Sequence, residues 1–225
     1  IIECGAQCTG GNFTDWKKVK GFENMGFPFV DVFSNGEFIV SKPGGTGGLV
    51  TFGTVAEQLV YEIGDPAEYI LPDVVCDFSE VIIKDLGSDQ VLVSGAKGYP
   101  PTKYYKNSAT YIDGYRSIGT LVIGGKDSIK KGQLIANAII EKCSFIFKQN
   151  NLENFTDTSF DIIGSNSIYG PENNKTDTKE IVLRIVATHK NKEALIIFSK
   201  ELAQAVTGMA AGVINYLGGR PKVSP

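Results

Sequence analysis

Basic excess, histidine and cysteine are all scarce in this chain, and each shortage narrows what it does. Among 225 residues, 22 Lys and Arg stand against 25 Asp and Glu, a net charge of −3. No basic face is on offer to neutralise a phosphate backbone, which argues against nucleic-acid binding. The single His, His189, leaves no Cys/His set to close a tetrahedral zinc site. Four cysteines, at 4, 8, 76 and 143, are too sparse for the disulfide framework of a small secreted scaffold. No apolar run reaches the roughly 18 residues needed to span a bilayer, so no membrane partner is expected. Long blocks of like charge are missing too, and a 42% hydrophobic content is ample for a sizeable core. Three Asn-x-Thr sequons, at Asn12, Asn154 and Asn174, come without a signal peptide. A reducing, cytoplasmic setting is the expectation.

Glycine is what the chain has in excess, 26 residues. Residues 1–100 read as a Gly-rich, motif-bearing α/β segment. Within it, Phe27 to Phe33 and Glu37 to Ser41 are β-rich runs joined across Ser34-Asn35-Gly36, a hairpin signal. A helical spacing of Val55, Leu59 and Ile63 predicts a helix over Leu49 to Ile63, stopped by Gly64-Asp65-Pro66. Two further strands, Ser79 to Lys84 and Gln90 to Ser94, flank the turn at Leu86-Gly-Ser-Asp.

Residues 101–225 read as a β-β-α-β-β-α region. Tyr104 to Ile112 and Tyr115 to Ile123 form the expected hairpin around Asp113-Gly114. Asp127 is expected to cap a helix running to about Lys148, with Ile135, Ile139, Cys143 and Ile146 on one stripe. Strands follow at Phe160 to Ile163 and Glu180 to Thr188. Asn191 then caps a helix carrying Ala194, Leu195, Phe198, Leu202 and Ala205. The order predicts an α+β fold, an antiparallel meander-type sheet with helices packed on one face.

Three places carry candidate chemistry. Lys42-Pro-Gly-Gly-Thr-Gly-Gly lies between a strand and a helix start, where free N–H groups and the helix dipole favour an anion. Lys42, Gly44, Gly45, Thr46, Gly47 and Gly48 are the candidate ligand residues, for a carboxylate or a CoA pyrophosphate; a strained connection or interface turn is the alternative. Neither a Walker ending nor a dinucleotide fingerprint is present. The second place is Glu3-Cys4, a nucleophile beside a base; a buried structural Cys is the alternative. Glu62 heads the third, a scatter of carboxylates with Asp65, Asp73, Asp77 and Asp113, of which Asp65 and Asp113 have turn explanations. His189 reads as a surface or strand-end residue. No metal set or cofactor motif stands out, so the cofactor stays unassigned.

Long motifs along the chain resemble the acyclic terpene utilisation (AtuA-like) family: Ile2-Glu-Cys-Gly-Ala-Gln-Cys-Thr-Gly-Gly-Asn-Phe13, Lys42-Pro-Gly-Gly-Thr-Gly-Gly-Leu-Val-Thr51, Leu59-Val-Tyr-Glu-Ile-Gly-Asp-Pro66 and Leu71-Pro-Asp-Val-Val75. Ser94-Gly-Ala-Lys-Gly98, Asp113-Gly-Tyr115 and Gly218-Gly-Arg-Pro221 are similar to the family as well. The resemblance implies that the chain is the second half of a protein about twice its length, in keeping with the missing initiator Met. Cys8 stands where the family has a small aliphatic residue or Thr, which leaves Cys4 as the better nucleophile candidate. The resemblance also implies a role in degrading acyclic terpenes such as citronellol and geraniol, beside acyl-CoA carboxylases. Two readings follow: a lyase or hydratase acting on a branched acyl-CoA or its acid, or a non-catalytic assembly or binding subunit of a carboxylase-type complex. An exposed strand at Ile1-Ile2 would invite association, so an oligomer is expected.

Overall fold

The computed structural model describes residues 5, 9, 16–105, 107–165, 167–170, 178–215 and 220–225, which fall into two units, residues 1–109 and 110–225. The fold is α+β with antiparallel sheets, in agreement with the reading of the sequence.

In the first unit, β1 (Phe29–Val32) and β2 (Phe38–Ser41) form the hairpin expected from Asn35-Gly36. Gly36 takes the positive φ, 87°, that the turn needs, and Asn35 Oδ1 accepts the Glu37 N–H. A second hairpin joins β5 (Ile82–Gly87) to β6 (Gln90–Ser94) through Ser88 and Asp89, both at positive φ, which matches the strand twist. The four strands pair in the order β1-β2-β6-β5. Their inner face packs Val40, Val91 and Val93 against Val50 and Val55, Val55 lying on α1 (Phe52–Val60). That helix is three residues shorter at each end than its apolar spacing predicts. It starts where Thr51 and Thr54 cap each other reciprocally. It stops at Tyr61, which is extended, ahead of Glu62 at a φ of 57°. A smaller sheet of β3 (Tyr69–Ile70), β4 (Val75–Asp77) and β7 (Lys97–Tyr99) completes the unit.

The second unit is a sheet with two helices on one face. Its long strands are β8 (Tyr115–Gly124), β9 (Asp157–Ile163) and β10 (Glu180–His189). The helices are α2 (Ser128–Gln149) and α3 (Lys192–Gly208). Ile181, Leu183, Ile185 and Ala187 of β10 alternate with half-buried or exposed neighbours and meet Ile135, Ile139, Cys143, Leu195 and Phe198 in one core. On the stripe of α2, Phe147 is the buried residue, and Ile146 stands at its edge. Asn191 caps α3 as expected, its Oδ1 accepting the Glu193 N–H at 2.9 Å. Asp127 does not cap α2 with its side chain; it takes φ 58° and offers only its carbonyl, to the Lys131 N–H.

One expected hairpin does not form. The described residues of 104–112 carry no strand, and Tyr104, Tyr105, Tyr111 and Ile112 are 84, 87, 83 and 76% exposed. Both edges of β8 are taken by other strands. On one side β10 pairs with it over ten residues, from Tyr115↔His189 to Gly124↔Glu180, and on the other lie β11 (Val213–Asn215) and β12 (Val223–Ser224). A ladder of that length, which also buries a core face, outcompetes a local Asp-Gly turn.

His189 ends β10, one of the two places its position suggested, but it is buried, 3% exposed, and not on the surface. Its Nδ1 accepts the Asn191 N–H at 2.7 Å and its Nε2 lies 3.0 Å from the Glu153 carbonyl, so the ring carries its proton on Nε2. It also stands edge-on to Phe147. The ring therefore ties the end of β10 to the cap of α3 and to the segment before β9. His189→Leu removes both hydrogen bonds and is expected to destabilise the second unit by about 1–3 kcal/mol. Urea unfolding followed by far-UV circular dichroism checks this, and an unchanged midpoint would contradict the tie.

Candidate functional site

The loop from Lys42 to Gly48 is a tightly folded connection. Thr46 donates to the Pro43 carbonyl from both its N–H and its hydroxyl. The Gly47 N–H reaches Asn24 O at 2.7 Å, and the Gly48 N–H reaches Lys20 O at 2.8 Å. A Cβ on Gly47 would overlap the Gly21 carbonyl, and Gly48, at φ 96°, lies against Thr9. Glycine is required at both positions by backbone contact. Gly44 and Gly45 are different: nothing lies within 4 Å of where their Cβ atoms would be, so they form an open tip.

The start of α1, expected to present free N–H groups, has those of Val50, Thr51, Phe52 and Thr54 occupied. Asp89 Oδ1 accepts from Val50 at 2.9 Å and Asp85 Oδ2 from Phe52 at 3.0 Å, while Thr51 and Thr54 take each other's N–H. Carboxylates of the protein's own β5–β6 hairpin thus hold the positive end of the helix. Lys42 Nζ, on a side chain only 10% exposed, donates to Thr46 O at 2.9 Å and lies 3.4 Å from Asp89 Oδ2.

Glu3 and Cys4 lie outside the described residues, as does Cys8. Their motif is represented by Gly5, where an added Cβ would run into Pro28, and by Thr9, which is buried and whose carbonyl accepts the Leu49 N–H at 2.9 Å. The two glycine motifs, far apart in sequence, therefore meet through Thr9 and Gly48–Leu49.

Glu62 borders a cavity of about 500 Å³ in the first unit. Val30, Val32 and Phe38 from the β1–β2 hairpin and Val93 from β6 make its sheet wall. Leu59, Ile63 and Gln58 close it from α1 and the turn after it, with Tyr61, Tyr69, Leu71, Phe78, Val81 and Ala96 completing the lining. Among the described residues Glu62 is the one charged lining residue. A non-glycine residue at its φ of 57° is strained, and it occupies the position after the helix cap that glycine usually takes. Gln58 was not singled out by sequence reasoning. It is 6% exposed, and its Oε1 has no hydrogen-bond partner among the described residues. A signal existed: 55, 58, 59 and 62 follow helical spacing, so Gln58 and Glu62 interrupt an otherwise apolar stripe.

The other candidates are separate. Asp65 Oδ1 accepts the Ala67 N–H in a turn, and Asp77 is held below the usual carboxylate range by the hydroxyl and then the N–H of Ser79, with burial opposing and Lys97 adding slightly. Cys143 is fully buried on α2, and its thiol is pushed up to about 12, first by burial, then by Glu201, with Lys142 acting against both. Cys76 is half-buried on β4. Among the described residues no three His, Cys, Asp or Glu side chains form a metal-binding group, and no helix is long and apolar enough to cross a membrane.

A mostly apolar cavity of this size, walled by a helix and a sheet and bearing a few polar groups, has the form of a small-molecule pocket in an α+β protein. Over its whole length, residues 1–225, the chain matches the model of the acyclic terpene utilisation family protein AtuA, and it belongs to that family. No curated protein matches it.

Two outcomes are expected. Lys42→Ala should lower stability by about 1–3 kcal/mol, because Asp89 loses its cation and the Thr46 carbonyl its donor. Lys42→Met, which keeps the aliphatic stem, should recover only the packing part, as measured by guanidinium titration. Cys143 should resist a thiol reagent at pH 8 in the folded state and react only after denaturation, while Cys76 reacts first. Peptide mapping after timed alkylation would read this, and equal labelling rates would count against it.

Proposed function

We propose that the first unit binds the branched chain of an acyclic terpenoid acyl-CoA, or of its free acid, and that Glu62 serves as the acid–base group of a lyase or hydratase. The observation that carries the reading is the cavity itself, an aliphatic and aromatic lining with one carboxylate at its edge. Methyl branches suit such a wall, since each buried CH₂ or CH₃ contributes about 0.8 kcal/mol without asking for a polar partner. In a hydration, Glu62 takes a proton from water as the water oxygen adds to the β-carbon. The same proton then passes to the α-carbon, which regenerates the carboxylate. Membership of a family of acyclic terpene utilisation supports the substrate class.

The strain at Glu62 supports a functional reason for a charged residue there, because glycine would sit in that backbone conformation at no cost. Glu62→Gly should therefore raise stability by about 1 kcal/mol while abolishing turnover. Glu62→Gln should reduce hydration of a branched α,β-unsaturated acyl-CoA by roughly 10²–10⁴-fold with its binding retained. Spectrophotometry of the conjugated thioester, run beside thermal unfolding, tests both. Full activity in Glu62→Gln would remove Glu62 from the chemistry.

A further inference from the structure

We infer that Gln58 is a specificity-determining residue that reads a hydroxyl on the ligand of this cavity. The inference rests on the cavity reading above and adds to it the polar group the ligand carries inside. Gln58 is more than nine-tenths buried, lines the cavity and leaves its Oε1 without a partner among the described residues. Native proteins satisfy nearly all such atoms, so an exception beside a cavity calls for the missing partner. A lone water is a poor one. It needs two to four polar neighbours, whereas most of the lining is apolar, Leu59, Ile63, Val30, Val32 and Val93 among it. A ligand O–H fits better, because its carbon chain covers the same apolar wall while its proton goes to Oε1. A hydrocarbon has nothing to give this oxygen, and a carbonyl, itself an acceptor, meets only the Nε2 side of the amide and leaves Oε1 unpaired. The ligand is therefore an apolar chain bearing a neutral hydroxyl, the group that separates a hydrated acyl chain from its unsaturated counterpart.

Three probes of one skeleton test this on the full chain: geraniol, geranial and myrcene, which carry a hydroxyl, a carbonyl and no oxygen. Calorimetric titration should show the parent binding geraniol about tenfold more tightly than either of the others. Gln58→Met should lose that preference while still binding myrcene, which shows that its cavity is intact. Should the parent bind geranial or myrcene as well as geraniol, the assignment of a hydroxyl reader is overturned, whatever becomes of the variant. A Gln58→Met protein that keeps the tenfold preference overturns it too. If the parent binds none of the three, the cavity reading fails with it, an outcome distinct from loss of selectivity alone.

Discussion

Two aspartates on one hairpin hold the helix that the candidate site depends on. Asp85 and Asp89 flank the tight turn between β5 and β6, and their carboxylates take the Phe52 and Val50 N–H groups at the start of α1. The turn sets the aspartates, the aspartates set the helix over the sheet, and the helix roofs the cavity. Lys42 joins this arrangement from the glycine loop, bridging Asp89 and the Thr46 carbonyl. The loop therefore serves the helix by clamping its entry. Its glycines at 47 and 48 let it pass against Gly21 and Thr9, where any side chain would collide with backbone.

The far end of α1 is treated differently. The entry is capped and neutralised, while the exit leaves a strained Glu62 and a buried, unpaired Gln58 beside an apolar cavity. A structural helix end would carry glycine there and a leucine or alanine one turn earlier. Departures of this kind, gathered at one concave surface, are how local rules are broken for function.

The second unit breaks few rules. His189 serves Asn191 and Glu153, the buried Ser117 hydroxyl has no partner among the described residues, and the helices cover one sheet face, with Val182, Arg184, Val186 and Thr188 of β10 pointing to the other side. Arg184 pairs with Asp161 across two strands there. Cys143 sits deep among Ile and Phe side chains and has the raised thiol that such surroundings impose. These are the marks of a scaffold.

Local chemistry was legible in the sequence by itself. Asn35-Gly36 and Ser88-Asp89 specify their turns, Asn191 caps its helix, and the i, i+3, i+4 spacing of Ala194, Leu195, Phe198 and Leu202 marks the buried face of α3, because each depends on residues within a few positions of one another. Glu62 could be named as a carboxylate and the glycine loop as a close backbone approach. Only the tertiary structure decided what these meet. The N–H groups at the start of α1 were consumed by aspartates more than thirty residues away. The segment 104–112 lost its pairing to β10, some seventy residues on, since a longer ladder with a buried face outweighs a local turn. Gln58 was not singled out in the sequence, because the cavity it lines takes its other walls from β1, β2 and β6, and a single sequence does not encode that meeting in any one stretch.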